Sequence, residues 1–510
     1  MKSFRIQNIK SFVDSGELEI KPITIFVGPN SCGKSSLLRF MSVLAQTSAV
    51  NTTTPLLLHG KMVDYGSYDD VIHHDKYGKC HNDFIHFELK YNVNMQSAEA
   101  KYFPFDSNDE GPIDNRDVTL KVTAKKDNNR VVIEEVRLDV ENVNLYYIFR
   151  NEKKSGNLYT IYVNAIYQNR EFIEKTYCIT LNDVVFDKFV PSFISEFPFN
   201  TRSFHAIAKA IMNRANIPDD ELTGLFFRVM YDIDDESELS EKELLLRREQ
   251  QAFGFAENVL SIIMQKFGQE MRQLGYIGPF RIQPDRLYRD PEYKSGYVGV
   301  HGEHVANILI DDFHNSSNDR ELIKKVSDIM HELLGVRLEI NSMGSDLYKF
   351  VIIDENGIES NLIDTGYGIS QVLPIVTQII KSGFVDKVES DEVAFSDGLV
   401  CIEQPELHLH PAAQAKLASL FETAVSNNPN LRLLIETHSE HLLRKLQVYI
   451  ADSTSALTKD MVRIYYVDKD KDGVSFIREM KICEDGRFEK EWPSGFFDQG
   501  FQLSMQLTGM

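Results

Sequence analysis

The sequence predicts an α/β protein with a mixed sheet, an antiparallel β-rich subdomain and a helical insertion. Three observations predict this fold class. The chain begins with two strand-like segments, a glycine loop and a helix. Alternating segments then fill residues 84–181, and strand–helix alternation returns after residue 347. We therefore expect the two α/β parts to form one sheet, which a long insertion interrupts.

Each element follows from a local pattern. Apolar β-branched residues predict a strand at Ile23–Val27, helical spacing predicts a helix at 34–44, and strict alternation predicts strands at 118–123 and 158–163. The strongest helical pattern of the insertion covers residues 241–267. The final third is predicted to contain, in order, a strand at 347–354, a helix from about 370, a strand ending at Glu403, a helix from about 411, a strand at 431–436 and a helix from about 439.

The composition is that of a globular protein with room for two or three domains. The chain has 510 residues, of which 43% are hydrophobic and 26% charged. No run approaches the roughly 18 apolar residues of a membrane span, and the N-terminus lacks the apolar core of a signal peptide. Five cysteines without CxxC spacing suit a reducing compartment. We therefore expect a cytoplasmic protein that does not act at a membrane.

A phosphate-binding loop is predicted between the first apolar strand and the first helix. The segment from Gly28 to Ser35, GPNSCGKS, fits the pattern GxxxxGK[ST]. Its glycines let backbone N–H groups face phosphate oxygens, and the following helix adds its positive N-terminal end. Lys34 is predicted to reach the β- and γ-phosphates and Ser35 to ligate Mg²⁺. The predicted ATP-binding residues of this loop are Asn30, Ser31, Cys32, Gly33, Lys34, Ser35 and Ser36.

A second acidic motif is predicted in the segment IEQPELHLHP. Glu403 ends a buried strand, where a magnesium-organising carboxylate is expected. Its neighbour Gln404 can orient a water molecule but cannot accept its proton. Glu406 is the nearest group that could act as the general base, and a simple carboxylate at a helix start is an equally good interpretation.

Two further segments complete the candidate site. His438 follows the strand that ends at Glu436, where an imidazole can bind a γ-phosphate or hold the attacking water. A glycine- and hydroxyl-rich helix start forms a second predicted anion site, which suggests that two heads enclose the nucleotide. Its candidate residues are Thr365, Gly366, Gly368, Ser370 and Gln371.

The segment that begins at Asp468, DKDKDGVSFIRE, matches a calcium-loop pattern but lacks the flanking helices that such a loop requires. Its flanks alternate like strands, and Asp-Gly between strands is typical of a turn. We therefore expect a hairpin.

Together, GPNSCGKSS, DTGYGISQ, IEQPELHLHP and IETHSEHL resemble the ATPase heads of the ABC superfamily. The resemblance is to the soluble branch of chromosome-maintenance (SMC), double-strand-break-repair and overcoming-lysogenisation-defect proteins. The segment from Trp492 to Gln499, WPSGFFDQ, is similar to a C-terminal element of AAA-type ATPases in prokaryotic anti-phage defence. These include Septu-type and retron-associated PtuA ATPases and the ATPase of the PARIS system.

This resemblance implies an ABC-type P-loop NTPase head that binds ATP and Mg²⁺, with Lys34 and Ser35 in the phosphate loop, Glu403 on the metal side and His438 as the switch histidine. It also implies a head-to-head dimer or higher homo-oligomer and a separate effector, such as an HNH or Toprim nuclease. A reverse transcriptase and retron RNA–DNA are further candidate partners. Many relatives have Asp-Glu where this chain has Glu403-Gln404, so slow hydrolysis is expected, and no intrinsic nuclease is expected.

The predicted domains follow from these segments. They are the N-terminal part of the head at 1–90, a β-rich insert at 91–185, a helical insert at 186–275, the C-terminal part of the head at 276–480 and the Trp-Pro element at 481–510.

Three functions compete. The first is a slowly hydrolysing defence ATPase that controls an effector nuclease. The alternative is a DNA-repair or chromosome-associated SMC-like ATPase that binds DNA directly, against which a formal net charge of −21 counts. The third is a scaffold in which ATP is structural. A transporter subunit fits least.

Overall fold

The computed structural model describes most of the chain. The described residues are 1–50, 54–80, 82–95, 114–127, 130–140, 145–151, 159–168, 171–181, 186–187, 190–191, 240–314, 320–344, 346–383 and 398–493. They fall into two compact units. The first unit contains Met1–Leu18, Thr47–Leu58 and the described residues of 66–269, and the second contains Glu19–Gln46, His59–Tyr65 and the described residues from 270 onward.

The described strands and helices alternate in the second unit, whereas strands predominate in the first. The strands are β1 (Ser3–Ile9), β2 (Phe12–Asp14), β3 (Leu18–Glu19), β4 (Ile23–Val27), β5 (Phe84–Asn94), β6 (Asn115–Asp127), β7 (Arg130–Val140), β8 (Leu145–Asn151), β9 (Tyr159–Gln168), β10 (Glu171–Leu181), β11 (Phe186–Asp187), β12 (Val190–Pro191), β13 (Gly275–Ile277), β14 (Tyr288–Arg289), β15 (Arg337–Ser342), β16 (Leu347–Ile353), β17 (Glu359–Asn361), β18 (Leu399–Glu403), β19 (Arg432–Glu436), β20 (Val462–Lys469) and β21 (Ser475–Glu479). The helices are α1 (Lys34–Ala49), α2 (Tyr68–Val71), α3 (Glu241–Arg272), α4 (Val305–His314), α5 (Glu321–Leu334), α6 (Tyr367–Gly383), α7 (Pro411–Asn427) and α8 (Glu440–Ala451).

A mixed sheet organises the second unit. Its strand order is β13-β18-β19-β4-β20-β21, parallel except for the final hairpin. Every residue of β4 and β18 is buried, as a parallel sheet covered on both faces requires. β4 pairs with β19 and β20 from the end of the chain, so the expectation that two distant α/β parts share one sheet is confirmed.

The first unit contains an antiparallel sheet of order β10-β9-β8-β7-β6-β5-β1-β2. Burial alternates along β5 and β6, which places one face of these strands on a core. β1 pairs with β5, with Ser3 opposite Lys90. The sheet therefore includes residues that the sequence analysis assigned to the N-terminal part of the head at 1–90, because backbone pairing continues across that predicted boundary.

The predicted secondary structure agrees closely with the described elements. The helix predicted at 241–267 is α3, and the mixed sheet and the antiparallel β-rich part are present. Residues 192–239 of the predicted helical insertion lie outside the described part of the chain. β20 and β21 form the expected hairpin, in which the Asp470 side chain accepts hydrogen bonds from the N–H groups of Asp472 and Val474 at 2.9 Å. Of the Trp-Pro element, residues 494–499 lie outside the described part of the chain, and Trp492 packs against Phe488 and Tyr466.

Neither a membrane helix nor a metal-ligand cluster is found in the described residues. None of their helices is both long and apolar enough to cross a membrane. No group of three or more His, Cys, Asp or Glu side chains in the same residues is placed to hold a metal ion.

Candidate functional site

The predicted phosphate loop connects β4 to α1 with a backbone that depends on glycine. Gly28 has a φ of +143°, and Ser31, at the tip of the loop, has a φ of +62°. A Cβ on Gly28 would lie 2.0 Å from the carbonyl oxygen of Val467, so no other residue fits here without a backbone shift. The Ser475 hydroxyl donates a 2.7 Å hydrogen bond to the Cys32 carbonyl. This bond connects the β20–β21 hairpin to the phosphate loop.

Lys34 lies folded over this loop. Its ammonium group donates to the carbonyl oxygens of Pro29 at 2.7 Å and Gly28 at 3.0 Å, and its side chain is only 3% exposed. Its Nζ also lies 3.9 Å from a carboxylate oxygen of Glu436. The loop therefore contains a buried cation at its centre. The other predicted loop residues differ in exposure: Cys32 is buried, Gly33 and Ser36 are partly buried, and Asn30 and Ser31 are exposed.

Ser35 and Glu436 form the closest polar contact beneath the loop. The Ser35 hydroxyl donates a 2.6 Å hydrogen bond to the Glu436 carboxylate. Glu436 ends β19, which lies directly beside β4, with Glu436 opposite Phe26. Burial raises the pKa of Glu436, and the bond from Ser35 offsets part of that rise. A carboxylate and the serine of the phosphate loop therefore meet at the end of the sheet.

Glu403 lies one strand further from the loop. In the pairing of β18 with β19 it is opposite Glu436. Arg39 binds both of its oxygens, with Nε at 3.0 Å and a terminal nitrogen at 3.1 Å, and the Tyr276 hydroxyl donates to one of them at 2.5 Å. Glu403 is 1% exposed. The predicted metal-side carboxylate is therefore engaged by Arg39 and Tyr276, and the carboxylate against Ser35 is Glu436.

Gln404 is held through its backbone. Its φ of +47° lies in the left-handed region, which is uncommon for a residue with a side chain. Its N–H donates to the Glu436 carbonyl at 2.8 Å, and its carbonyl accepts from Arg281 at 3.2 Å. Arg281 also donates to the Glu403 carbonyl at 2.8 Å. Burial lowers the pKa of Arg281 to about 10. Arg281 thus fixes the turn that follows β18.

Glu406 braces the segment that carries His438. One oxygen of Glu406 accepts from the Thr437 hydroxyl at 2.8 Å, and the other accepts from the His438 N–H at 2.7 Å. Burial raises the pKa of Glu406. Burial, followed by the charge of Lys34, lowers the pKa of His438 to about 4, so the imidazole is neutral near pH 7. Its Nε2 is buried without a hydrogen-bond partner among the described residues.

The second predicted anion segment leads into α6 but is only partly exposed. Gly366 and Tyr367 are exposed, and the Tyr367 ring lies 6.0 Å from that of His408. Ser370 and Gln371 are 7% and 6% exposed, because α6 is buried along most of its length. The nucleotide-facing role of these two side chains stays a prediction, and in the single chain both are buried. The partly buried Thr365 and Gly368 and the exposed Gly366 remain at the surface end of the segment.

The sequence matches a model of the AAA ATPase domain family over residues 1–214 and 298–443. The chain belongs to the AAA ATPase domain family. A second model, for a protein family of unknown function (DUF3696), matches residues 457–507 of this AAA ATPase. No protein with curated annotation matches its sequence.

Several solved structures are similar to this AAA ATPase. The Smc head domain of Pyrococcus furiosus with an extended coiled coil, bound to the C-terminal domain of ScpA, has 10% identity and a TM-score of 0.39, and the match covers 99% of each chain. The SMC head domain of Thermotoga maritima has 9% identity and a TM-score of 0.36, over 94% of this chain and 99% of that chain. The Smc head domain of Pyrococcus yayanosii with a coiled coil and joint has 10% identity and a TM-score of 0.39, over 94% and 97% of the two chains.

The donors of the AAA ATPase fit a magnesium nucleotide. Mg²⁺ is usually bound through one or two protein oxygens together with substrate phosphates and water. The Ser35 hydroxyl and the Glu436 carboxylate, 2.6 Å apart, supply such a pair. The Lys34 ammonium group and, in the tautomer protonated at Nε2, the imidazole of His438 could donate to phosphate oxygens.

Sequence reasoning did not identify four residues of this site: Glu436, Arg39, Tyr276 and Arg281. Glu436 carried a usable signal, because it ends a buried apolar strand immediately before Thr437 and His438. Arg39 lies on α1 and Tyr276 on β13, and nothing in their local sequence indicates that both reach Glu403.

Proposed function

We propose that this AAA ATPase binds ATP, hydrolyses it slowly, and controls a separate effector nuclease in anti-phage defence. One observation carries the ATPase part of the proposal: the Ser35 hydroxyl and the Glu436 carboxylate meet beneath a phosphate loop that buries Lys34. The defence part rests on the resemblance of the sequence motifs to ATPases of such systems.

In this proposal the residues of the loop bind the triphosphate. Backbone N–H groups and the N-terminus of α1 bind phosphate oxygens. Lys34 exchanges its two carbonyl acceptors for the β- and γ-phosphates, and Ser35 contributes its hydroxyl oxygen to Mg²⁺. A magnesium ion at this position would supply positive charge for the phosphate oxygens. The neutral imidazole of His438 contacts the γ-phosphate or holds that water.

Slow turnover follows from the group beside Glu403. The side-chain amide of Gln404 can orient the attacking water, but it cannot take a proton from it. Both oxygens of Glu406 already accept hydrogen bonds from the segment of His438. We therefore assign Glu406 to positioning His438. Loss of general-base catalysis typically lowers a rate by about 10²–10⁴.

We further propose that two copies associate head to head. The segment at the start of α6, with the exposed Gly366 and the partly buried Thr365 and Gly368, then contacts the nucleotide of the partner copy. Measuring the mass of the purified protein by light scattering, with and without ATP, tests this step. A protein that stays monomeric at saturating ATP contradicts it.

The ATPase proposal is tested with Lys34→Ala. The substitution removes the buried cation of the loop, so binding of a fluorescent ATP analogue should weaken at least tenfold and hydrolysis should fall to background. Lys471→Ala, at the exposed turn of the β20–β21 hairpin, is the matched control and should retain both activities. Equal binding by the Lys34→Ala variant and the unmodified protein would contradict the proposal.

The defence proposal is tested in cells under phage challenge. The gene is expressed with its neighbouring genes, and plaque formation is compared between the intact system and the same system with Lys34→Ala. We expect protection to be lost in the variant and the effector protein to copurify with the unmodified chain. Equal protection by both systems would contradict a role for nucleotide in defence.

A further inference from the structure

We propose that Glu436, at the end of β19, is the carboxylate that binds the magnesium ion of the nucleotide together with Ser35. Glu403, at the end of β18, is then a positioning residue. This inference rests on the proposed ATPase function and assigns the metal side of that same site.

The strand order places Glu436 closer to the loop than Glu403. β19 lies between β18 and β4, and β4 leads directly into the phosphate loop. Glu436 reaches the Ser35 hydroxyl at 2.6 Å and lies 3.9 Å from the Lys34 ammonium. The serine of a phosphate loop is a magnesium ligand in P-loop ATPases. A carboxylate bonded to that hydroxyl is therefore already within reach of the metal position.

The Glu403 carboxylate is already bound by other side chains. Arg39 binds its two oxygens in a bidentate pair, and Tyr276 donates to one of them. A carboxylate paired in this way has its charge neutralised by the guanidinium and most of its acceptor positions filled. To bind Mg²⁺ it would have to leave Arg39 while staying 1% exposed. Arg39 is partly exposed, but its departure would leave the buried Glu403 carboxylate without its cation, which is costly.

The remaining acidic group of the motif is also occupied. Glu406 accepts from Thr437 and from the backbone of His438. Of these three carboxylates, Glu436 is the one that accepts a hydrogen bond from Ser35 of the phosphate loop. The Arg39–Glu403 pair then holds α1 against the end of β18. This arrangement fixes the direction of the loop without contacting the nucleotide.

The test is the magnesium dependence of nucleotide binding by the full chain. A fluorescent ATP analogue is titrated at a series of MgCl₂ concentrations, and nucleotide-dependent binding of Mn²⁺ is counted by electron paramagnetic resonance. Glu436→Gln keeps an oxygen that accepts from Ser35, so the chain should fold. We expect it to raise the half-saturating metal concentration about 10–100-fold, the usual effect of removing a group that supports a metal site. Glu403→Gln should raise it less than Glu436→Gln does, because the bond from Ser35 goes to Glu436.

A double substitution and a shorter acid separate the metal role from a structural one. Ser35→Ala combined with Glu436→Gln should cost little more metal affinity than the more severe single change, because both act on one ion. Glu436→Asp keeps the charge and should bind metal better than Glu436→Gln. Thermal melts of every variant establish that each is folded.

The outcomes are distinguishable. If the unmodified protein shows no binding that depends on Lys34, the proposed function fails and the inference fails with it. If binding depends on Lys34 but Glu436→Gln leaves the metal requirement unchanged, or Glu403→Gln raises it more, the inference alone is overturned.

Discussion

Substitutions of Glu406 test whether this buried carboxylate acts as a general base or positions the segment of His438. It is 9% exposed, and its oxygens accept from the Thr437 hydroxyl at 2.8 Å and the His438 N–H at 2.7 Å. The substitution Glu406→Gln removes the charge but keeps an oxygen for His438. Its amide can also donate to the Thr437 hydroxyl oxygen. Glu406→Ala removes both acceptors.

The two substitutions are expected to lower the free energy of unfolding by different amounts. Leaving a buried donor unpaired costs about 1–3 kcal/mol, so leaving both donors unpaired in Glu406→Ala should lower the free energy of unfolding by roughly 2–6 kcal/mol. Glu406→Gln should cost about 1 kcal/mol, because one bond to a charged acceptor becomes a bond to a neutral one. If Glu406 positions His438, Glu406→Gln should retain turnover within about tenfold. Loss of a general base instead lowers the rate by about 10²–10⁴.

The assay combines chemical denaturation, followed by circular dichroism, with steady-state phosphate release at saturating ATP. Glu332→Gln, an exposed glutamate of the same unit, is the control and should change neither quantity. A Glu406→Gln variant that melts like the unmodified protein and binds ATP equally well, yet loses more than 100-fold in turnover, would refute the positioning role. An equal loss of turnover in Glu406→Ala and Glu406→Gln would indicate that Glu406 is a general base.

Three further predictions test other parts of the structure. In Gly28→Ala the new Cβ would lie 2.0 Å from a backbone oxygen of β20, so the loop must distort; we expect a lower melting temperature and at least tenfold weaker ATP binding. Arg39→Ala leaves Glu403 buried without its cation. Removing one partner of a fully buried pair costs about 3–5 kcal/mol. We expect a smaller loss here, because the Arg39 side chain is 42% exposed. Denaturant titration should show partial recovery of stability in Arg39→Ala/Glu403→Gln. The bond from Arg5 lowers the pKa of Asp14 to about 2. The stability that the Asp14 carboxylate contributes is therefore fully present above its unfolded pKa of about 3.9. That contribution is lost as the pH falls towards 2. Asp14→Asn should flatten that part of a stability–pH curve.

The sequence specifies the elements of the sheet well because their signals are local. The run at Ile23–Val27, the glycines after it and the helical spacing that follows are sufficient for the first strand, loop and helix. The same holds for the strands that end at Glu403 and Glu436. Each segment is short, apolar and bounded by polar or glycine-containing turns, so no long-range information is needed.

The roles of individual side chains depend on strand order, which local patterns do not contain. Glu403 and Glu436 both end buried strands before a polar turn. Only the position of β19 between β18 and β4 brings Glu436 against Ser35. Likewise, Ser370 and Gln371 look like surface groups beside glycines. Because α6 packs nearly all of its faces, their side chains are buried.

The position of β4 within its sheet has a consequence for biosynthesis. Both neighbours of this fully buried strand, β19 and β20, are translated about 400 residues later. At about 5–20 residues per second, the strand waits roughly 20–80 s for its partners. During that time its four apolar residues cannot be covered by their native neighbours, and the nascent chain has no complete nucleotide pocket. ATP is therefore expected to stabilise this protein only after synthesis is nearly finished, while the early chain depends on chaperones.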